Sequence, residues 1–457
     1  MEDKEILYMD HQDQTQAIIG RIVRQLFRLF TPSLLLMLLL GCVEELPLEE
    51  LPDNDGAGLL VVEAVLTDQL KTQEVLLSRS SSRVDLETDT TFVPLLPTLR
   101  GERDSVDWEQ GALIVLRGGD GSQYDFTEAL PGQYLSNSQF ALSQGVDYEL
   151  EIATGGQNYR SDPLRIEGVA TVANVRAERI TNDFGVEGIQ IYADAIPGSG
   201  ATSRLRYTYE ETYKIIAPRW NELEFELTNY DPCALPVITY DLELIRREVE
   251  RQVCYNTRPS DRIIQPQATS GTTGSLTRQP IRFIPRDDFI ITHRYSILVR
   301  QLVQSADAYG YYETLNNFSE SQNLFSQIQP GALTANVSRT DGSDEIVLGY
   351  VEAANASEQR IFFDYADFFP GEAPPPFPFF CEDRSAPDAH RSRCASGMFG
   401  GGCPLSLVEN IDLDLITFTG INGEGIGTCP GTYTFVPKVC GDCRTLGDNV
   451  VPDFWEE

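Results

Sequence analysis

The run from Asp147 to Ala153 alternates strictly up to its last residue: Tyr148, Leu150 and Ile152 are apolar, while Asp147, Glu149 and Glu151 are charged. Successive side chains on a β-strand point to opposite faces, so this spacing predicts a strand with one face in a core and the other in water. Comparable short runs lie at Leu59 to Leu66, Glu74 to Ser78 and Ala112 to Arg117, with turn residues between them at the spacing of a β-sandwich. Leu130-Pro131-Gly132-Gln133 places Pro then Gly where a type II turn wants them, because Pro fixes φ and Gly accepts the positive φ that follows. The chain is therefore expected to be mainly β.

A chain of 457 residues can hold two or three domains, each with its own core. Residues 57–167 are expected to form a first sandwich, similar to the small transthyretin-like or carboxypeptidase-regulatory-like sandwiches, which are scaffolds without chemistry of their own. Leu86 to Val106 lacks periodicity and reads as a long excursion from it. Residues 168–370 are expected to form a second sandwich, fibronectin- or immunoglobulin-like, with an inserted helix. Gly188 to Asp194 alternates there, and Arg204 to Lys214 puts Leu205, Tyr207, Tyr209 and Tyr213 on one face and Arg204, Arg206, Thr208, Glu210 and Thr212 on the other. The aromatic stripe reads as a packed sandwich face, with a binding platform as the alternative. A Ser/Thr/Gly-rich loop, Gln267 to Thr277, precedes the strand Tyr295 to Val303 and a helix containing Ala308, Tyr309, Tyr312 and Leu315. Residues 371–457 begin with a stiff connector around Pro374-Pro375-Pro376 and continue as a cysteine-rich segment with few core-forming runs.

The apolar run Leu34 to Leu40, behind Arg21, Arg24 and Arg28, is too short to span a bilayer and matches the core of a signal peptide. It ends in Leu39-Leu40-Gly41-Cys42, which resembles the lipobox of bacterial lipoproteins. That resemblance implies a cleaved signal peptide over residues 1–41 and acyl chains on Cys42, and two or more such chains hold a protein stably on a membrane. Residues 42–56 are acidic and contain Pro, and read as a flexible stalk. The acids after Cys42 resemble the surface-export signal of Bacteroidota lipoproteins, which implies the outer leaflet of an outer membrane.

The chain carries 35 basic against 69 acidic side chains, a net charge of −34. Such a field repels phosphate, and no nucleic-acid partner is expected, because affinity for a polyanion comes from Lys and Arg displacing counterions. With Cys42 lipidated, Cys233, Cys254, Cys381, Cys394, Cys403, Cys429, Cys440 and Cys443 remain. In an oxidising compartment they are expected to form disulfides, and roughly a hundred pairings are open to them. Zinc is not expected, because Cys440-Gly441-Asp442-Cys443 is the only CxxC pair. Redox chemistry is not expected of it either, since it sits between Pro437 and Gly447 and does not read as opening a helix after a strand.

Nothing here predicts a catalytic site, and no cofactor is expected. His293 and His390 stand apart without a motif, and HExxH, GxSxG and the phosphate-binding glycine loop are all missing from the sequence. Asp341-Gly342-Ser343-Asp344-Glu345 reads as an acidic hairpin loop, with calcium as the sharper alternative. Asn317, Asn336 and Asn355 begin N-x-S/T triplets that carry no information in a bacterial setting.

Several blocks occur in a recognisable order: Leu60-Val61-Val62-Glu63, Tyr209-Glu210-Glu211-Thr212, Tyr295 to Gln301, Asn323-Leu324-Phe325, Gln329-Pro330, Ala335-Asn336-Val337, Val347 to Val351, Arg360 to Phe363, Cys440 to Cys443 and Pro452-Asp453-Phe454-Trp455. Together they resemble the Bacteroidota lipoprotein family called domain of unknown function 4249. The resemblance implies an outer-membrane lipoprotein of two β domains, often associated with TonB-dependent receptor systems. The expectation is a non-catalytic surface lipoprotein, bound to the bilayer through Cys42, that docks onto an outer-membrane β-barrel for nutrient transport or barrel assembly. A free-standing adhesin for glycan or peptide is the alternative, and a surface hydrolase ranks behind both.

Overall fold

Alternating burial builds the first eight strands: β1 (Leu60–Thr67), β2 (Glu74–Arg79), β3 (Asp107–Trp108), β4 (Leu113–Gly118), β5 (Gln123–Leu130), β6 (Gln133–Ser136), β7 (Tyr148–Thr154) and β8 (Gln157–Ser161). Tyr148, Leu150 and Ile152 are at most 2 % exposed, as the alternation requires. The computed structural model describes residues 58–80, 106–200, 203–266, 276–320, 333, 335–343, 345–389 and 405–457. The signal segment 1–41 with Leu39, Leu40 and Gly41, the stalk from Cys42 to residue 56, residues 86–105, residues 267–275, Asp344, His390, Cys394 and Cys403 lie outside them.

Hydrogen-bonded neighbours run β1-β2-β6-β5-β4-β7-β8, and β3 pairs with β2. Leu60 and Val62 from one end of this ladder and Leu150 and Tyr159 from the other meet in one core. The turn between β5 and β6 is the expected one. Gly132 has φ +71°, and a Cβ there would stand 2.5 Å from the Leu77 carbonyl oxygen, so only glycine fits.

The second half contributes β9 (Gly168–Thr181), β10 (Glu187–Gly200), β11 (Leu205–Ile216), β12 (Leu223–Asp231), β13 (Thr239–Arg246), β14 (Val253–Pro259), β15 (Leu276–Pro285) and β16 (Tyr295–Val303). Helix α1 (Ala306–Glu320), β17 (Val337–Arg339) and β18 (Leu348–Phe363) follow. A three-stranded sheet β15-β10-β9 faces the four strands β14-β11-β16-β18 across a second core. That is the sandwich arrangement of fibronectin-like domains, with α1 between its last two strands. The stripe Leu205, Tyr207, Tyr209 and Tyr213 is core. Its opposite face is not simply wet, because Arg206 and Thr212 are buried there as well.

Strand β18 serves both halves. Leu348 to Ala354 run parallel to β1, and Asn355 to Phe363 run antiparallel to β16 on the other edge. At the crossing, the Ala356 amide donates to Asp68 Oδ1 at 2.9 Å and Asn355 Nδ2 to Asp68 Oδ2 at 2.6 Å. β17 pairs with β8, so Val337, Val347, Val351 and Ala353 complete the first core. β18 also seals a sheet edge with its side chains. Backbone amides of Ala170, Val172 and Val175 on β9 donate to Asn355 Oδ1, Ser357 Oγ and Gln359 Oε1 at 2.8 to 3.0 Å. The expected division at residue 167 thus marks a change of core, while Gly58 to Glu457 remain one compact unit.

The C-terminal segment departs from expectation. Helix α2 (Leu407–Asp412), β19 (Ile416–Ile421), β20 (Tyr433–Pro437) and α3 (Lys438–Gly441) follow the proline connector. Val436, Val439 and Leu446 enter the second core, and Phe418 and Tyr433 pack edge-on against Phe225 of β12. These apolar residues show no local period because their partners lie far back in the chain, in the second core and on Phe225 and Leu242 of the β12–β13 hairpin. The connector is tied down too, with Thr292 Oγ1 donating to the Pro375 carbonyl at 3.0 Å and Phe377 and Phe379 packed on the second core. Disulfides join Cys254 to Cys443 and Cys381 to Cys440, and Cys233 and Cys429 are also disulfide-bonded.

Candidate functional site

Where the two cores meet, the chain leaves a cleft of about 520 Å³. Its walls come from the link between β8 and β9, the first turns of α1, Leu333, Ala335 and Asn336, and the start of β18. Each wall has a local cause. Pro163 keeps the link extended, and Ser305 Oγ accepts from the Ala308 amide at 3.1 Å, capping α1 so that Asp307, Gly310, Tyr311 and Thr314 line the cleft.

Beneath the cleft lies a buried ion pair. Arg206 Nη2 donates to Glu352 Oε2 at 2.7 Å, with both side chains under a tenth exposed, and Gln304 Nε2 donates to Glu352 Oε1 at 3.2 Å. Tyr312 lies over the guanidinium, its ring centroid 3.9 Å away. Burial alone would lower the Arg206 pKa, but Glu352 and Tyr312 together outweigh it and raise the value. Burial likewise holds the Tyr312 phenol well above its ordinary range and, with the charge of Asp307, pushes Tyr350 up to about 12. The Tyr311 and Tyr350 rings stand 4.7 Å apart on one wall.

On the rim, Arg165 pairs with Asp147, and Arg204 pairs with Glu167. Asp162 and Asp307 form no ion pair with any described residue. On the floor, Asn336 takes the place of a neighbouring strand. Its Nδ2 donates to the Val351 carbonyl at 2.7 Å and its Oδ1 accepts from the Val351 amide at 2.9 Å. The sequence reading puts Asn336 and Tyr350 in diagnostic blocks but gives them no role. No local signal marks them, because both act across strands distant in sequence.

The described cysteines, Cys233, Cys254, Cys381, Cys429, Cys440 and Cys443, are all disulfide-bonded. Strand β20 leads straight into α3, so the CxxC does occupy a strand-then-helix setting, contrary to expectation, yet Cys440 and Cys443 are bonded to different partners. His293 is half-buried, its pKa lowered by burial and by the Lys214 ammonium, and it lies outside the cleft. In the acidic loop Arg339 pairs with both Asp341 and Glu345, and the Ser343 amide closes onto Asp341 Oδ1 at 3.1 Å. Among the described residues no group of three or more His, Cys, Asp or Glu side chains is placed to hold a metal ion, and no helix is long and apolar enough to cross a membrane.

A family described as "Domain of unknown function (DUF4249)" matches residues 44–360. No curated protein matches the sequence. A solved structure titled "Biofilm associated protein - BSP domain" aligns over 69 % of this chain at 9 % identity with a TM-score of 0.11, a likeness too low to carry an argument. The chain spans 60 % of that structure's length.

Proposed function

The chain belongs to the DUF4249 family, and from its junction cleft we propose a non-catalytic protein, held on an outer membrane by acyl chains at Cys42, that binds a partner between its two cores. The observation that carries this reading is how the cleft's charges are used. Glu352, Arg165 and Glu167 are each paired with a side chain of opposite charge, while Asp162 and Asp307 line the cleft without an ion pair to any described residue. Carboxylates left open toward a partner support a cleft that recognises. Having both cores built on one strand supports the same reading, since a shared strand fixes the cleft's walls relative to each other.

The partner we propose is an outer-membrane β-barrel complex, of TonB-dependent transport or of barrel assembly. Extraction of the full-length protein in mild detergent, followed by mass spectrometry, should recover a barrel in stoichiometric amount. Repeated recovery of the protein alone would overturn docking. The Tyr311–Tyr350 pair favours a second reading, an adhesin that stacks a sugar on the cleft wall. Binding on a glycan array without any barrel in the extract would select it.

A further inference from the structure

On the cleft floor a short length of strand edge has no partner strand among the described residues. Residues of β18 alternate in the direction their backbone groups face. Val351 turns its amide and carbonyl away from β1, where the Asn336 side chain takes both. Ala353 lies two residues on and faces the same way. β16 does not reach it, because Val303, the last residue of β16, stands opposite Asn355 and the chain then turns through Ser305 into α1. Ala353 lines the cleft, and on that side no described residue hydrogen-bonds to its backbone. The slot is where β16 would have continued. Asn336 shows that an amide fits one position along it.

Acidic groups surround this slot. Asp162 and Asp307 line the cleft without an ion pair to any described residue, and the whole chain has a net charge of −34. The side-chain charge that complements such a rim is an ammonium or guanidinium. The tyrosines of the wall give its aliphatic stem a surface to lie on.

We propose that the cleft binds an extended, lysine-bearing peptide segment of a partner protein, whose backbone pairs with the free edge of β18 at Ala353 and whose ammonium group sits between Asp162 and Asp307. This rests on the reading of the protein as a docking module and names the chemistry of its partner. The Ala353 amide donates to a peptide carbonyl, and its carbonyl accepts a peptide N–H, as in other strand additions.

The test uses full-length protein in mild detergent and fluorescence anisotropy with capped, labelled hexapeptides. The probe is an alternating Lys-Thr repeat. The controls are a Glu-Thr repeat, the Lys-Thr repeat N-methylated at alternate amides in each of the two phases, and unlabelled cellohexaose as competitor. Gly310→Trp blocks the cleft on its helix wall, where an added Cβ meets nothing within 4 Å, and Asp307→Asn removes a rim charge. We expect binding of the Lys-Thr peptide that weakens with salt, and at least tenfold loss with the Glu-Thr peptide, with one methylated phase and in Gly310→Trp. Asp307→Asn should cost several-fold. Full binding by both methylated peptides, unchanged binding in Gly310→Trp, no binding of the Lys-Thr peptide, or displacement by cellohexaose would each overturn the proposal. A barrel that still co-purifies with Gly310→Trp would leave docking intact and sink only the cleft. Peptide binding without any barrel would do the reverse.

Discussion

At the scale of single residues, the most consequential pair is Arg206 and Glu352. Alternation along β11 marks Arg206 as a residue of the wet face, because nothing nearby in sequence tells of the carboxylate that meets it at 2.7 Å. Glu352→Ala leaves a buried guanidinium without its partner and should cost about 3–5 kcal/mol in urea unfolding, whereas joint replacement by Met at 206 and Leu at 352 should be near neutral or stabilising. Equal losses in the two proteins would mean that the pair itself, and not the orphaned charge, decides stability. Gly132 was legible as a turn glycine, and its φ of +71° together with the Leu77 oxygen 2.5 Å from a would-be Cβ predicts that Gly132→Ala destabilises by more than about 1 kcal/mol in the same measurement. His293 sets a pH dependence. Burial and Lys214 hold its pKa below the ordinary 6.5, so the folded chain binds that proton less readily than the unfolded one. Its contribution is therefore complete above pH 6.5 and is lost as the pH falls through the depressed folded value. His293→Gln should flatten the stability curve between that depressed value and pH 6.5, and an unchanged slope there would contradict the assignment.

At the scale of elements, legibility followed the range of the contacts. Strands β7, β11 and β16 and helix α1 could be read directly, since each carries its pattern within its own residues. The parallel pairing of β1 with β18 and the packing of the C-terminal strands could not, because their partners are supplied from far along the chain. The cleft fell into the same gap: its walls come from segments whose own sequences look like ordinary loop, helix and strand. Disulfides could be expected from cysteine count and compartment, but their pairing could not. The Cys254–Cys443 bond spans 189 residues. Replacing both cysteines with serine should cost about 2–5 kcal/mol, measured as a lower denaturant midpoint.

For the whole molecule, the shared strand makes a statement about cooperativity. The two large cores among the described residues each take residues from β18 or its immediate approach: Val347 and Val351 in the first, Phe363 in the second. Scanning calorimetry of the intact chain is therefore expected to show one unfolding transition, with the van't Hoff and calorimetric enthalpies in agreement. Two separated transitions would show that the halves are energetically independent and that the cleft can flex. A fragment ending at residue 167 lacks Val337, Val347, Val351 and Ala353 and should give the narrow amide dispersion of an unfolded chain by NMR.

The pairing of Val61 with Leu348 also sets a clock. Ribosomes add roughly 5–20 residues per second. The opening strand therefore waits something like 15 to 60 seconds for its neighbour to be made, with Leu60, Val62 and Leu66 unable to close their side of the barrier against water in the meantime. A polypeptide that stays unfinished for so long is easy to thread through a narrow pore and hard to trap on the wrong side of it.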